Sequence, residues 1–131
     1  MQIVRADKLL NEKKSVLIVD DDPSILRVFE RILSRNNYSV SKAATASEAF
    51  KMLKANHYDA ALIDLRLPDV DGIELLSAMP ASATRMVKIM ITGFPSAEDE
   101  TRAFYFGAEG FMSKPVKPEE LLKVLAEKLA G

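Results

Sequence analysis

Acidic, hydroxyl and amino side chains follow four of the five apolar segments that resemble strands. Asp20-Asp21 ends the first segment, Asp64 the third and Thr92 the fourth, and Lys114 follows the fifth. Crowded carboxylates repel one another unless a cation lies among them, and oxygen ligands with spare coordination positions suit Mg²⁺. A carboxylate can also act as a nucleophile towards phosphorus. The set predicts a magnesium site that receives a phosphoryl group.

The expected roles follow from the chemistry of each side chain. Asp64 would be the nucleophile and form an acyl phosphate. Lys114 and the divalent ion would neutralise phosphoryl oxygens, while the Thr92 hydroxyl donates to another of them. Gly93 keeps the adjoining loop small enough for a phosphoryl group to enter.

The elements that would hold these residues alternate strictly between strands and helices. Short apolar runs predict strands, and capping residues followed by helical spacing predict the helices between them. Five such units predict an α/β fold in three layers, with a doubly wound, flavodoxin-like parallel sheet of order 2-1-3-4-5. The first, third and fourth strands should be central because they are wholly apolar, and ligands should bind beyond the carboxyl ends of the strands. We expect the strands at 15–20, 38–42, 60–64, 88–92 and 110–113, and the last helix at 118–129.

Length and composition limit the function further. The chain has 131 residues, 48% of them hydrophobic, so we expect a single domain at 15–131 and no second domain. Residues 1–14 should form a polar extension with a helical turn near 8–12. It has no cysteine and one histidine, His57, which excludes thiolate chemistry and sites that need two histidines. The net charge of −1 predicts no direct binding to nucleic acid or membranes, and the lack of a long apolar run predicts a soluble, cytoplasmic protein.

Taken together, the motifs resemble the receiver domain of two-component response regulators, particularly single-domain chemotaxis regulators. The resemblance extends over about residues 15–129 and includes Asp20-Asp21, the stretch DLRLPDVDG that begins at Asp64, Thr92-Gly93, and Lys114-Pro115 after Phe111. Each piece alone is weak, but five in the right order at the right strand ends are specific.

The resemblance implies a phosphorylation-dependent switch rather than a conventional enzyme. Asp64 would accept the phosphoryl group from a histidine kinase or a histidine phosphotransfer protein. Asp21, Asp64 and the backbone carbonyl of Arg66 would bind Mg²⁺ directly, with Asp20 acting through water. On phosphorylation Thr92 would move towards the phosphoryl group and Phe111 would swing inward.

The resemblance also implies effects around the site and beyond it. A cis peptide is expected between Lys114 and Pro115, and bulky Phe94 should slow hydrolysis of the phosphoryl group. The changed surface of the fourth helix, fifth strand and fifth helix should control a partner or an output domain. A homodimer that forms on phosphorylation is a further outcome that the family implies.

Two surface patterns have both a structural and a functional interpretation. Arg27, Arg31 and Arg35 form a helical stripe that is either a solvated face or a docking site for an acidic kinase surface. The consecutive Phe104-Tyr105-Phe106 cannot all face the core of one helix, so at least one ring should be exposed, as part of an output surface or through overpacking.

Three alternatives compete with the receiver interpretation. A haloacid-dehalogenase-like phosphatase also uses an Asp nucleophile, Mg²⁺, a hydroxyl and a lysine, but Pro23 occupies the turn after Asp22, and the late acidic pair is missing. We expect Asp22 to cap a helix rather than bind metal. A flavin-binding flavodoxin would need a phosphate loop without three acids. A phosphorylation-independent interaction module would not need the complete acid set.

Overall fold

Residues 13–130, which the computed structural model of the chain describes, form five strands and five α-helices in strict alternation. The strands are β1 (Lys14–Val19), β2 (Tyr38–Ala43), β3 (Ala60–Asp64), β4 (Val87–Thr92) and β5 (Gly110–Ser113). The helices are α1 (Pro23–Ser34), α2 (Ala46–Ala55), α3 (Gly72–Ser77), α4 (Ala97–Tyr105) and α5 (Pro118–Ala130), and a 3₁₀ turn at Ala81–Ala83 precedes β4.

All five strands pair in parallel in the order β2-β1-β3-β4-β5, which confirms the predicted topology. The apolar strands β1, β3 and β4 are central, while the alternating β2 and the short β5 are the edges. Strand order therefore reverses between β1 and β3, where a doubly wound sheet offers a crevice at its carboxyl edge.

Each face of the sheet has its own hydrophobic cluster, so the fold has three layers: helices, sheet and helices. Alternate strand residues point to opposite faces, so neighbouring residues of one strand enter different clusters. One cluster packs β-strand side chains such as Leu17 and Ile63 against α2, α3 and α4. The other packs Ile18 and Leu62 against α1 and α5.

The helices begin where the sequence places capping residues. Asp22 accepts a hydrogen bond from the Ser24 N–H at 2.8 Å, so the prediction that Asp22 is an N-cap is confirmed. Thr45 caps α2 through the Glu48 N–H, and the Glu48 carboxylate reaches back to Ala44, one residue before the cap.

A few boundaries differ from those predicted from the sequence. Strand β1 begins at Lys14, one residue inside the expected extension, because Lys14 pairs with Tyr38 of β2. The helical turn expected near 8–12 lies outside the described residues. Asn37 adopts the left-handed region at φ 69°, which turns the chain between α1 and β2. Among residues 13–130, every helix is too short or too polar to cross a bilayer.

Asp59 fastens the amino end of β1 to the loop before β3. Its carboxylate accepts from the Ser15 N–H at 2.7 Å and from the Ser15 hydroxyl at 3.2 Å, and lies 3.4 Å from the His57 ring. Burial raises the pKa of the Asp59 carboxyl, but these hydrogen bonds and the Lys14 charge outweigh burial and lower the pKa overall. The ionised form is therefore the one that stabilises the fold.

We expect Asp59→Ala to lower the free energy of unfolding by roughly 1.5–3 kcal/mol at neutral pH, since it removes hydrogen bonds to a charged group. Because folding depresses this pKa, the stabilisation is complete above the unfolded value of about 4 and disappears as pH falls through the folded value. Denaturant titrations of both proteins at pH 7 and pH 3 measure the difference, which should shrink at pH 3. A difference that is equal at both pH values would contradict the role of the charge.

Candidate functional site

Three carboxylates meet at the carboxyl edge of the sheet, where β1 and β3 end side by side. Val19 of β1 pairs with Ile63 of β3, so Asp20 and Asp64 extend from neighbouring strands. One carboxylate oxygen from each of Asp20, Asp21 and Asp64 lies within 4.8 Å of the others. Asp20 and Asp64 are only 3% and 6% exposed, while Asp21 faces solvent. The three acids that the sequence singled out are thus brought together.

Lys114 bridges the two buried acids. Its Nζ lies 2.9 Å from Asp20 Oδ2 and 3.3 Å from Asp64 Oδ2. The main chain of Lys114 is held at the end of β5, because its N–H donates to the Thr92 carbonyl of β4 at 2.8 Å. The peptide bond between Lys114 and Pro115 is cis, as the resemblance implied.

The remaining oxygen of each buried carboxylate is held by the main chain. Asp20 Oδ1 accepts from the Asp22 N–H at 2.9 Å, and Asp64 Oδ1 accepts from the Arg66 N–H at 3.1 Å. Both are turns in which an aspartate binds the backbone two residues further on. The side chains are therefore oriented before any ligand arrives.

The charges of this cluster perturb one another. Burial raises the pKa of the Asp64 carboxyl, and the neighbouring charge of Asp20 adds to that, while the Arg66 N–H and Lys114 only partly oppose the rise. Burial lowers the pKa of the Lys114 ammonium, but the hydrogen bonds and charges of Asp20 and Asp64 outweigh it and raise the pKa overall. The arrangement holds two anions at a place where added positive charge is favourable.

These donors suit a hard divalent cation. Three carboxylates at two strand ends can bind the ion, and Asp21 among them is exposed. The remaining coordination positions stay open for water and phosphate oxygens, as Mg²⁺ requires. The residues present therefore fit the ion that the sequence predicts. The ligand role expected for the Arg66 carbonyl stays a prediction.

Thr92 and Phe111 lie on the adjoining strands. Thr92 is the last residue of β4 and fully buried, and its hydroxyl oxygen accepts from the Phe94 N–H at 3.2 Å. Phe111, opposite Met90 in the register of β4 and β5, is partly buried against the cluster under α2, α3 and α4. Phe94 is 79% exposed beside the site, and its effect on hydrolysis stays a prediction.

The loop between Asp64 and α3 contains contacts that sequence reasoning missed. The Gly72 N–H donates to the Leu65 carbonyl at 2.7 Å, and a Cβ on Gly72 would lie 2.3 Å from the carbonyl oxygen of Asp64. The glycine in the DLRLPDVDG stretch was a signal for this close approach. Asp71 caps α3 through the Ile73 N–H as expected.

Two side chains of the same loop reach other helices. Asp69 accepts from the Ala46 and Ser47 N–H groups at 3.0 and 2.9 Å, and these bonds hold its pKa below the usual range. Arg66 forms an ion pair with Asp99 of α4 at 3.7 Å. No local sequence pattern indicates either contact.

The two surface patterns are both exposed. Arg27 and Arg31 of α1 and Arg35, which caps the carboxyl end of that helix, all face solvent. None of them forms an ion pair with another of residues 13–130. Exposure reaches 47%, 82% and 40% at Phe104, Tyr105 and Phe106, which confirms that at least one ring lies at the surface. His57 is exposed in the loop between α2 and β3.

Comparison with known proteins points to one family. Residues 16–126 match the profile of the response regulator receiver domain. The chain is 32% identical over 107 residues to the cell cycle response regulator CtrA of Brucella ovis, and the match includes 82% of this chain and 46% of that protein. The chain thus spans about half the length of the curated relatives it matches.

Solved structures agree with this. A CheY-like response regulator receiver domain protein from Methanospirillum hungatei is 38% identical, with a TM-score of 0.84 over 91% of this chain and 95% of that one. A response regulator from Burkholderia pseudomallei, solved with a phosphorylated aspartic acid, a calcium ion and citrate, is 26% identical, with a TM-score of 0.80 over 88% of this chain and 73% of that one.

We expect Gly72→Ala to destabilise the protein by roughly 1–3 kcal/mol, because the new methyl group must displace the backbone of Asp64. Chemical denaturation measures the change. Gly93→Ala is the matched control, since a Cβ there meets nothing within 4 Å. Equal stability of the two variants would show that the close approach is unimportant.

Proposed function

Because this chain belongs to the response regulator receiver domain family, we propose that it is a phosphorylation-dependent signalling switch whose phosphoacceptor is Asp64. The observation that carries the proposal is the cluster of Asp20, Asp21 and Asp64 at one sheet edge, with Lys114 across the two buried acids. Burying charged groups costs desolvation free energy, so a purely structural role does not account for this cluster.

Asp64 reacts as an oxygen nucleophile. One of its carboxylate oxygens attacks the phosphorus of a phosphohistidine, the bond from phosphorus to the imidazole nitrogen breaks, and the electron pair stays on that nitrogen. The Arg66 N–H on Oδ1 fixes the rotation of the carboxylate, so that the group need not reorient for attack.

The neighbouring residues stabilise the charge of the phosphoryl group. Asp20, Asp21, Asp64 and the carbonyl oxygen of Arg66 would hold a Mg²⁺ ion, which when bound supplies positive charge to the phosphoryl oxygens. Lys114, which bridges two acids in the unphosphorylated chain, would donate to a phosphoryl oxygen once Asp64 carries the phosphoryl group as an acyl phosphate. The Thr92 hydroxyl donates to another.

The chemistry of the chain is confined to its own aspartate. Receiver domains are typically switches rather than enzymes, and we infer that this one catalyses only the phosphorylation of Asp64 and the later hydrolysis of that group. The family assignment goes against the haloacid-dehalogenase-like alternative, which would turn over free phosphate esters.

The switch would act through the surface formed by α4, β5 and α5. Movement of Thr92 towards the phosphoryl group leaves room for Phe111, which already packs against the cluster beneath α4. The exposed rings of Phe104, Tyr105 and Phe106 lie on that helix and its end, where a downstream protein partner or output domain would detect the change.

The phosphodonor would be a histidine kinase or a histidine phosphotransfer protein, in a cytoplasmic setting. The solvent-facing arginines of α1 support an acidic docking surface on that donor, because none of them has a carboxylate partner among residues 13–130. The phosphorylated form is also proposed to associate as a homodimer, which size-exclusion chromatography would detect.

We expect wild-type protein, treated with acetyl phosphate and Mg²⁺, to gain the mass of one phosphate, and Asp64→Asn to gain none, because an amide cannot form the acyl phosphate. Intact-protein mass spectrometry measures this. Asp22→Asn is the control and should be labelled, since Asp22 caps α1. Removing Mg²⁺ with a chelator should abolish labelling of the wild type.

Label on Asp64→Asn would place the acceptor elsewhere. Multiple turnover of a free phosphate ester by the wild type would favour the phosphatase alternative over the switch.

We expect the double variant Arg27→Glu/Arg31→Glu to be phosphorylated by its kinase at least about tenfold more slowly, since charge complementarity mainly governs association rates. Its rate with acetyl phosphate should be unchanged. The double variant Lys51→Glu/Arg85→Glu makes the same charge change away from α1 and serves as the control. Equal slowing with both donors would contradict a docking role.

A further inference from the structure

Arg66 links the phosphoacceptor to helix α4. Its main-chain N–H donates to Asp64 Oδ1 at 3.1 Å, and its guanidinium lies 3.7 Å from Asp99 Oδ2. The same residue therefore contacts the reacting carboxylate through its backbone and a neighbouring helix through its side chain.

Asp99 is well placed to hold an arginine and to release it. It lies in the first turn of α4, where the helix dipole favours an anion, and its side chain is only 15% exposed. A second cation, Arg102, lies 3.9 Å from its other oxygen. When Arg66 leaves, Asp99 still has a positive neighbour, so the loss of one partner does not leave a buried charge alone.

The Arg66–Asp99 pair is weak enough to be displaced. Its separation of 3.7 Å is longer than a hydrogen bond, and the Arg66 side chain is 59% exposed. A phosphoryl group on Asp64 introduces a dianion two residues away, and guanidinium groups bind phosphate oxygens in a bidentate manner. The phosphoryl group and Asp99 would then compete for one cation.

We propose that Asp99 is a positioning residue, which holds the Arg66 guanidinium on α4 and away from the incoming phosphoryl group. The proposal rests on the proposed function, because it concerns the rate at which Asp64 is phosphorylated. Asp99 lies outside the acid cluster, yet it would control how much positive charge the site offers to an anionic donor.

The step affected is the transfer from a small donor. An Asp64 oxygen attacks the phosphorus of acetyl phosphate, the bond from phosphorus to the acetyl oxygen breaks, and acetate leaves with the electron pair. No proton or redox change is required. An Arg66 side chain freed from Asp99 would pair with the phosphoryl oxygens of the donor and favour this step.

The test compares Asp99→Asn with Glu100→Gln, which makes the same charge change on an exposed neighbour that has no ion pair among the described residues. We expect Asp99→Asn to raise the rate constant of phosphorylation by acetyl phosphate and Mg²⁺ by about two- to fivefold, the range of a partly exposed ion pair. The gain should shrink at high salt, and Asp99→Glu should restore the wild-type rate.

A second variant separates positioning from a loss of helix stability. In an Arg66→Ala background, Asp99→Asn should produce no acceleration, because the arginine that it releases is absent. Acceleration that persists in this background, or an unchanged rate in the single variant, would overturn the proposal. Failure of the wild type to be phosphorylated would instead overturn the proposed function.

Discussion

The mutual repulsion of two buried carboxylates is the constraint on which this site depends. Strands β1 and β3 are adjacent and parallel, so residues that follow them are forced within about 5 Å of each other. Asp20 and Asp64 occupy these places, and both are almost fully buried. Their charges are tolerated because Lys114 lies between them and because each accepts a main-chain N–H on its other oxygen.

The pattern of apolar residues was sufficient to predict the sheet. Wholly apolar runs became the three central strands, and the alternating run 38–42 became an edge, since only an edge strand tolerates a polar face. In a parallel sheet, the residues that directly follow the strands all lie at its carboxyl edge. For that reason the meeting of Asp20, Asp21, Asp64 and Lys114 could be predicted without any knowledge of distances.

The path of the loop after β3 could not be predicted in the same way. Gly72 packs on the Asp64 carbonyl, Asp69 accepts hydrogen bonds from the first two N–H groups of α2, and Arg66 pairs with Asp99 of α4. The partners of Asp69 and Arg66 are far away in sequence, and none of the three contacts belongs to a periodic pattern. The sequence shows that a glycine and two charges are present there, whereas their partners depend on how the loop folds back over the sheet.

These contacts connect Asp64 to the three helices of one face. The loop binds α2 through Asp69, begins α3 at Gly72 and reaches α4 through Arg66, while α1 and α5 lie on the other face. A ligand that relieves the repulsion at Asp64 also stabilises the folded chain, because binding to the native state alone shifts the folding equilibrium. Under the proposed function, a phosphoryl group on Asp64 would change the packing of that face through the same buried charges. Neutral side chains at the same positions would not repel one another, so a ligand could not shift the packing equilibrium by relieving that repulsion.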